Sequence, residues 1–174
     1  TVQVPLEKRF DFGTAKSPVE PDFQRVTGRT KYSPALGYGW TAGTVSSVDR
    51  RTGTALERDL NLTADGTFVV DVPSAGTYQV QLRLGDPGRS AHEQMGIYLE
   101  GTPVETVTTA AKTVLSRSYD VTVSDGQLTV RLKGPGGRDR TAAIAGMSVT
   151  HVLHVAGRAA AAESEATLQL GDSD

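Results

Sequence analysis

Tyr32, Tyr38 and the only tryptophan, Trp40, fall within nine positions of the stretch "KYSPALGYGWTAG", residues 31–43. Pro34, Gly37, Gly39 and Gly43 break up any helix there, and no strand-like alternation surrounds the aromatics, so the segment reads as an irregular loop. Aromatic rings on a loop suit one kind of chemistry well. Sugar rings present apolar C–H faces that stack on tyrosine and tryptophan, while their hydroxyls require fixed, planar polar partners such as carboxylates, amides and guanidinium groups. The second half of that requirement is met by "LGDPGRSAHEQMG", residues 84–96, which carries Asp86, Arg89, His92, Glu93 and Gln94. Two more residues join the candidates. Tyr98 faces away from Met95, Ile97 and Leu99, and Arg58 follows "TALE", where a neighbouring carboxylate competes for its guanidinium. The opposing reading is that Tyr38 and Trp40 plug one end of the fold and the glycines merely let them do so; the residues leave both open.

Catalytic chemistry finds little support. There is no G-x-S-x-G elbow, no H-E-x-x-H pair and no phosphate-binding glycine loop. His92 beside Glu93 has the makings of a base and an acid, but no activated nucleophile accompanies them, and the pair reads as part of a polar loop. His151 and His154 are three apart, a spacing that converges on a helix and diverges on a strand; "AAIAGMSVTHV" is a strand, so no metal is expected there. The terminal "GDS" with Ser173 resembles the opening of an esterase block, and Asp172 and Asp174 resemble the first ligands of a calcium loop. The chain ends at residue 174, so both are expected to point to a missing neighbour or to be a plain acidic terminus.

The positions of these groups depend on the elements that carry them, and those are strands. In "GTYQVQLRLGD", Tyr78, Val80, Leu82 and Leu84 share one face and polar residues the other. Tyr119, Val121 and Val123 alternate likewise, as do Leu128, Val130 and Leu132 beyond Asp125-Gly126. An Asp-Gly pair between two such runs predicts a hairpin, and Asp65-Gly66 predicts a second between "LERDLNL" and "TFVVDV". "RFDFG", "QMGIYLEG", "TPVETVT" and "AAIAGMSVTHV" bring the strand count to about nine. Short strands with one polar face each, bounded by Gly, Pro, Asp and Ser, predict an all-β, antiparallel β-sandwich over residues 8–150. Tyr78, Val80, Leu82, Val121, Val123, Leu128 and Val130 are its expected core.

Composition sets the outer bounds. The 174 residues suit one domain, placed at residues 1–155, with an alanine-rich linker or tail at 156–174 leading to a missing neighbour. A net charge of −2 from well-mixed charges advertises no basic face to nucleic acid or an anionic membrane, and no apolar run is long enough for a membrane span. The absence of cysteine excludes disulfides, thiolate metal sites and a cysteine nucleophile. No apolar signal segment opens the chain, which is therefore expected to be cytosolic, already processed or cut from something longer.

The blocks "RFDFGT", "YSPALGYGW", "ERDLNLTADGTFVVDVPSAGTYQVQLRLGD", "HEQMGIYLEG" and "DGQLTVRLKG", in that order from Phe10 to Val149, resemble the galactose-binding-like domain of bacterial agarases and rhamnogalacturonan-type acetylesterases. They are also similar to domains of large secreted planctomycete proteins and, more distantly, to malectin-type domains. The resemblance implies a galactose-binding-like sandwich of the jelly-roll kind with no catalysis of its own, a polysaccharide or oligosaccharide and neighbouring domains as partners, and a secreted or cell-surface location. It places the "GYGW" aromatics and Asp86 in blocks matching sugar-contacting residues. Members of the wider fold often hold a structural calcium, for which the sequence shows no compact acidic cluster. The expected function is a non-catalytic carbohydrate-binding module with Tyr32, Tyr38, Trp40, Arg58, Asp86, Glu93 and Tyr98 as its site. A structural spacer or adhesion module without a sugar site, and a module that supports a neighbouring esterase or lyase, are the alternatives.

Overall fold

A computed structural model of the protein describes residues 6–136 and 141–153. The proposed tail at 156–174, His154 and Ser173 lie outside them. Twelve strands and no helix occur among the described residues. They are β1 (Glu7–Phe12), β2 (Gln24–Val26), β3 (Tyr38–Ala42), β4 (Val45–Asp49), β5 (Asp59–Thr63), β6 (Asp65–Asp71), β7 (Gly76–Asp86), β8 (His92–Leu99), β9 (Thr102–Thr109), β10 (Thr113–Val123), β11 (Gln127–Lys133) and β12 (Ala142–His151). One sheet runs β10-β7-β12-β1-β2, with β5 pairing the start of β12 and β4 pairing β5; the other runs β3-β6-β11-β8-β9. All pairs are antiparallel except β1 with β2. The expected all-β sandwich is thus what the chain forms.

The alternating runs face inward as their period requires. Tyr78, Val80, Leu82, Val123, Leu128 and Val130 are buried, and Val121 packs on the core from a partly buried position. Both Asp-Gly pairs, however, do something other than turn hairpins. β5 and β6 lie in different sheets, as do β10 and β11, so each Asp-Gly sits where the chain crosses from one sheet to the other. Gly126 takes φ +79 in that crossing and its carbonyl accepts from Val72 N at 2.9 Å. A tight turn is a local property, but which strand pairs with which is settled by the sandwich. The two-residue hairpin with both turn residues at positive φ is instead Glu100–Gly101 (φ 51 and 79), between β8 and β9.

The aromatic segment is not wholly irregular either. Tyr38–Ala42 is the edge strand β3, paired with β6, and Lys31 bridges to Trp40 from the other side. Only two of its side chains point inward, with Gly39 between them, too little alternation to announce a strand. Gly39 has φ +145, and a Cβ there would overlap the Tyr32 backbone nitrogen, so only glycine lets the 30–32 segment approach. Tyr38 and Trp40 join Phe10, Phe12 and Phe68 in an aromatic cluster between the sheets, with centroids 4.8–6.4 Å apart and mostly tilted or edge-on.

Candidate functional site

Trp40 is 1% exposed. Its ring lies edge-on to Phe12 and Phe68, and its Nε1 donates to Asn61 Oδ1 at 3.3 Å. The expected stacking surface is therefore absent at this residue: Trp40 is a core side chain whose one polar atom is satisfied inside. Tyr38 differs. It packs on Phe10 at 4.8 Å yet keeps part of its ring at the surface, and partial desolvation raises its hydroxyl pKa.

Asp86 is likewise withdrawn from solvent, at 0% exposure. Arg50 Nε and Nη2 donate to its two oxygens at 3.0 and 2.8 Å, Gly88 N donates to Oδ1 at 2.8 Å, and His92 Nε2 lies 3.1 Å from Oδ2. His92 Nδ1 lies 3.0 Å from Thr141 O. A carboxylate can only accept, so Nε2 donates to Asp86, while Nδ1 also has the Thr141 hydroxyl at 3.4 Å. Burial by itself would raise the Asp86 pKa, but the hydrogen bonds from His92, Arg50 and Gly88 outweigh it and hold the carboxyl well below the usual carboxylate range. With every lone pair directed at the protein, Asp86 is not a sugar acceptor; it pins the 87–91 loop to Arg50, just past β4, and to β8. Above it opens a cleft of about 800 Å³ lined by Arg50, Glu57, Arg89, Ser90 and Lys112 among others, with no aromatic ring.

The two stretches expected to meet do not. Asp86 ends β7 opposite Thr113, whereas the other end of β7, Gly76, lies opposite Val123, from which the chain crosses to β11. Tyr38 lies opposite Val70, itself opposite Leu128 near the start of β11. The eleven-residue strand β7 therefore separates them, a span of about 33 Å at ~3.3 Å per residue.

The remaining candidates are dispersed. Tyr32 donates its hydroxyl to Asp71 (3.0 Å to Oδ2), a bond that raises its pKa. Arg58 forms a two-pronged pair with Asp49 at 3.0 and 2.9 Å, the competing carboxylate the sequence allowed for. Glu93 is exposed on a bulge, where the register jumps from His92 opposite Thr109 to Met95 opposite Val107 and Gln94 takes φ 48. Tyr98 lies on the outer face of the five-stranded sheet with Arg131 5.1 Å over its ring.

Around Tyr38 the structure builds a different cleft, of about 370 Å³, from Glu7, Lys8, Arg9, Phe10, Asp22, Gln24, Leu36 and Tyr38. Leu36 is 43% exposed, so the cleft pairs an apolar patch with carboxylates and an amide. Asp22, Gln24 and Leu36 escaped sequence reasoning because they belong to two separate segments that only the β1–β2 edge and the turn before β3 bring together.

Asp11 and Asp59 were also missed. Asp11 stands between the core residues Phe10 and Phe12 and so points to the opposite face of its sheet, where the 13–23 segment covers it. Burial, reinforced by the neighbouring Asp59, pushes the Asp11 carboxyl up to about 7, and burial raises Asp59 as well. Asp11 Oδ1 and Asp59 Oδ1 are buried with no hydrogen-bond partner. For the calcium that the galactose-binding-like resemblance implies, this all-oxygen pair is the donor set that fits.

Two packed, largely antiparallel sheets with polar clefts define the class as an all-β sandwich. The chain belongs to the family described as beta-agarase/YXIM esterase-like, galactose-binding domain-like, which matches residues 8–150. It is 33% identical over 138 residues to beta-agarase A of Zobellia galactanivorans, covering 76% of this chain but 25% of that protein. Among solved structures it is similar to the YXIM protein of Bacillus subtilis (TM-score 0.67, 23% identity, 84% of this chain and 40% of that one). It is also similar to a beta-glucuronidase of Bacteroides uniformis (TM-score 0.62, 19% identity, 85% and 18%). These two likenesses establish the fold alone. The chain spans about a quarter of the length of the agarase it matches.

Proposed function

We propose that the domain is a non-catalytic carbohydrate-binding module of a longer secreted or surface-held protein, and that it docks a polysaccharide at the Tyr38 cleft. One observation carries this reading: Tyr38 and Leu36 present an apolar patch inside a cleft that also holds Asp22, Glu7 and Gln24. An exposed tyrosine edge suits the C–H face of a sugar ring, and carboxylate and amide groups suit its hydroxyls. Membership of a family named for galactose-binding-like domains beside agarases and esterases supports the same class of partner. The site is shallow, so affinity for a free oligosaccharide is modest and repeated domains gain by avidity.

The test is affinity electrophoresis in agarose-type and other polysaccharide gels, comparing wild type with Tyr38→Ala and Asp22→Asn. Asp22 has φ 69, a conformation asparagine tolerates, so the second variant removes the charge and spares the backbone. Retardation of the wild type, weakened in both variants while their circular dichroism stays native, is the expected result. The burial of Trp40 favours the rival reading, a structural spacer or adhesion module. Wild-type protein that runs unretarded in every gel, or folded variants retarded as strongly as wild type, would replace the sugar-binding reading with the spacer.

A further inference from the structure

We propose that one end of the sandwich, formed by the loops at 50–58, 87–91 and 110–112, binds the sulfate ester or carboxylate groups of an acidic polysaccharide. On the reading of the domain as a polysaccharide-binding module, this end is a second contact, separated from Tyr38 by the length of β7. Two clefts flank the 50–58 loop. One, of about 800 Å³, is lined by Arg50, Arg89 and Lys112, with Glu57 as its one carboxylate. The other, of about 610 Å³, is lined by Lys16, Arg51 and Arg58, with Asp49 as its one carboxylate. Six cations thus face two carboxylates in a chain whose net charge is −2. Charges well mixed along the sequence are segregated by the fold.

Both carboxylates are already answered. Glu57 accepts from Arg83 Nη1 at 2.9 Å, and Asp49 holds Arg58 at 3.0 and 2.9 Å. Lys16, Arg51, Arg89 and Lys112 are exposed, and none of them forms an ion pair among the described residues. Uncompensated charge gathered in clefts raises the local concentration of anions. Arg51 and Lys112 take φ 58 and 60, a region that glycine or asparagine occupies more easily. The loops therefore keep cations at two positions where a smaller residue would relieve the backbone.

Arg50 adds geometry to this charge. Of its guanidinium hydrogens, Asp86 takes one from Nε and one from Nη2, at 3.0 and 2.8 Å, which fixes the plane of the group. The other edge, Nη1 with the second Nη2 hydrogen, is a fork that suits the oxygens of a carboxylate or a tetrahedral oxyanion. A Cβ at Gly88 would lie 2.9 Å from Arg50 Cδ and Nε, so the glycine lets the guanidinium settle on Asp86. Gly88 O accepts in turn from Lys112 N at 2.7 Å, which sets the 87–91 and 110–112 loops side by side. Neither cleft is lined by an aromatic ring, so unstacked nucleic-acid bases find no platform. A sugar bearing an anionic group needs the charge and hydroxyl partners, and Thr52 and Ser90 line the first cleft.

The experiment is electrophoresis through polyacrylamide containing a neutral galactan, a sulfated galactan or polygalacturonate, with mobility referred to a gel without polysaccharide. Wild type should be retarded more by an acidic polymer than by the neutral one, and the polymer that retards more identifies sulfate or carboxylate as the group bound. Arg89→Gln with Lys112→Gln should weaken that excess about tenfold, as loss of two exposed charge contacts does, and raised salt should weaken it too. Arg29→Gln with Lys31→Gln removes two exposed cations outside both clefts and should leave the excess intact. Equal retardation in neutral and acidic gels overturns the proposal. So does an equal loss in the two double variants, which would make the effect one of net charge. Tighter retention by single-stranded DNA than by either acidic polysaccharide overturns it as well. Tyr38→Ala should lower retention in the neutral gel and spare the acidic excess, so the two sites fail separately. An acidic excess without any neutral retardation defeats the Tyr38 cleft and supports the basic end.

Discussion

Asp86 shows how far a residue's surroundings can redirect its chemistry. A carboxylate on a Gly-Asp-Pro-Gly turn is a natural hydroxyl acceptor, yet here it is enclosed by Arg50, His92 and Gly88 N. Replacing it with alanine removes the acceptor of the Arg50 guanidinium and of His92 Nε2, and breaking a buried pair in that way costs about 3–5 kcal/mol. Urea unfolding of Asp86→Ala should show that loss. Because the folded-state pKa of Asp86 lies below its unfolded value near ~3.9, the stability it provides is fully present above about pH 4 and declines as pH falls through the folded pKa. Between pH 5 and 2 the wild type should therefore lose more stability than Asp86→Asn does. Parallel acid profiles for the two proteins would show that the pair contributes nothing. Trp40→Ala should likewise cost about 3–5 kcal/mol, as a large core ring does, and any loss of sugar retention in that variant should follow unfolding.

Among the elements, β3 is the one whose existence depends most on a single backbone position. Gly39 takes φ +145 and admits the Lys31–Tyr32 segment, whose Tyr32 N donates to Trp40 O at 3.2 Å while Trp40 N donates to Thr30 O at 2.8 Å. Gly39→Ala would set a Cβ against that backbone. The strain and the lost pairing should together cost on the order of 1–3 kcal/mol, read as a lower urea midpoint, with Gly37→Ala milder because a Cβ there meets only Asp71 Oδ2 at 3.9 Å. Equal effects of the two substitutions would show that close approach at Gly39 is not what matters. The same reasoning separates the Glu100–Gly101 hairpin from the two Asp-Gly crossings. In the hairpin both turn residues take positive φ and the flanking strands pair, whereas Asp65 instead holds Arg131 on the neighbouring strand at 2.8 and 2.7 Å.

On the scale of the whole molecule, β12 closes the structure. It pairs β1, β7 and β5, and its last pairing is His151 with Tyr78, whose rings stack at 4.6 Å. With that contact made, both central neighbours of the seven-stranded sheet are complete, and the family match also ends at residue 150. We therefore expect a chain cut after Val155 to melt within about 2 °C of the 174-residue chain, less than 1 kcal/mol for a domain this size. A larger drop in calorimetry would make the 156–174 segment part of the folded unit.

Periodicity determined the strands and their faces. Tyr78, Val80, Leu82, Leu128 and Val130 are buried because a side chain two residues on must return to the same face. Composition singled out Tyr38 and Trp40, but the glycines around them hid the edge strand that sets both rings on one side. Only the tertiary structure decided what that side faces: Phe12 and Phe68 cover Trp40 entirely, while Tyr38, nearer the end of the sandwich, keeps an edge in solvent. It also decided that Asp86 is enclosed, that the aromatic and the polar stretch lie at opposite ends of β7, and that Asp11 and Asp59, 48 positions apart, come together. The physical reason is the same in each case. The period of a strand is set by its own backbone, but burial, charge compensation and the convergence of a site depend on which strands lie alongside and across, and those partners are distant in sequence.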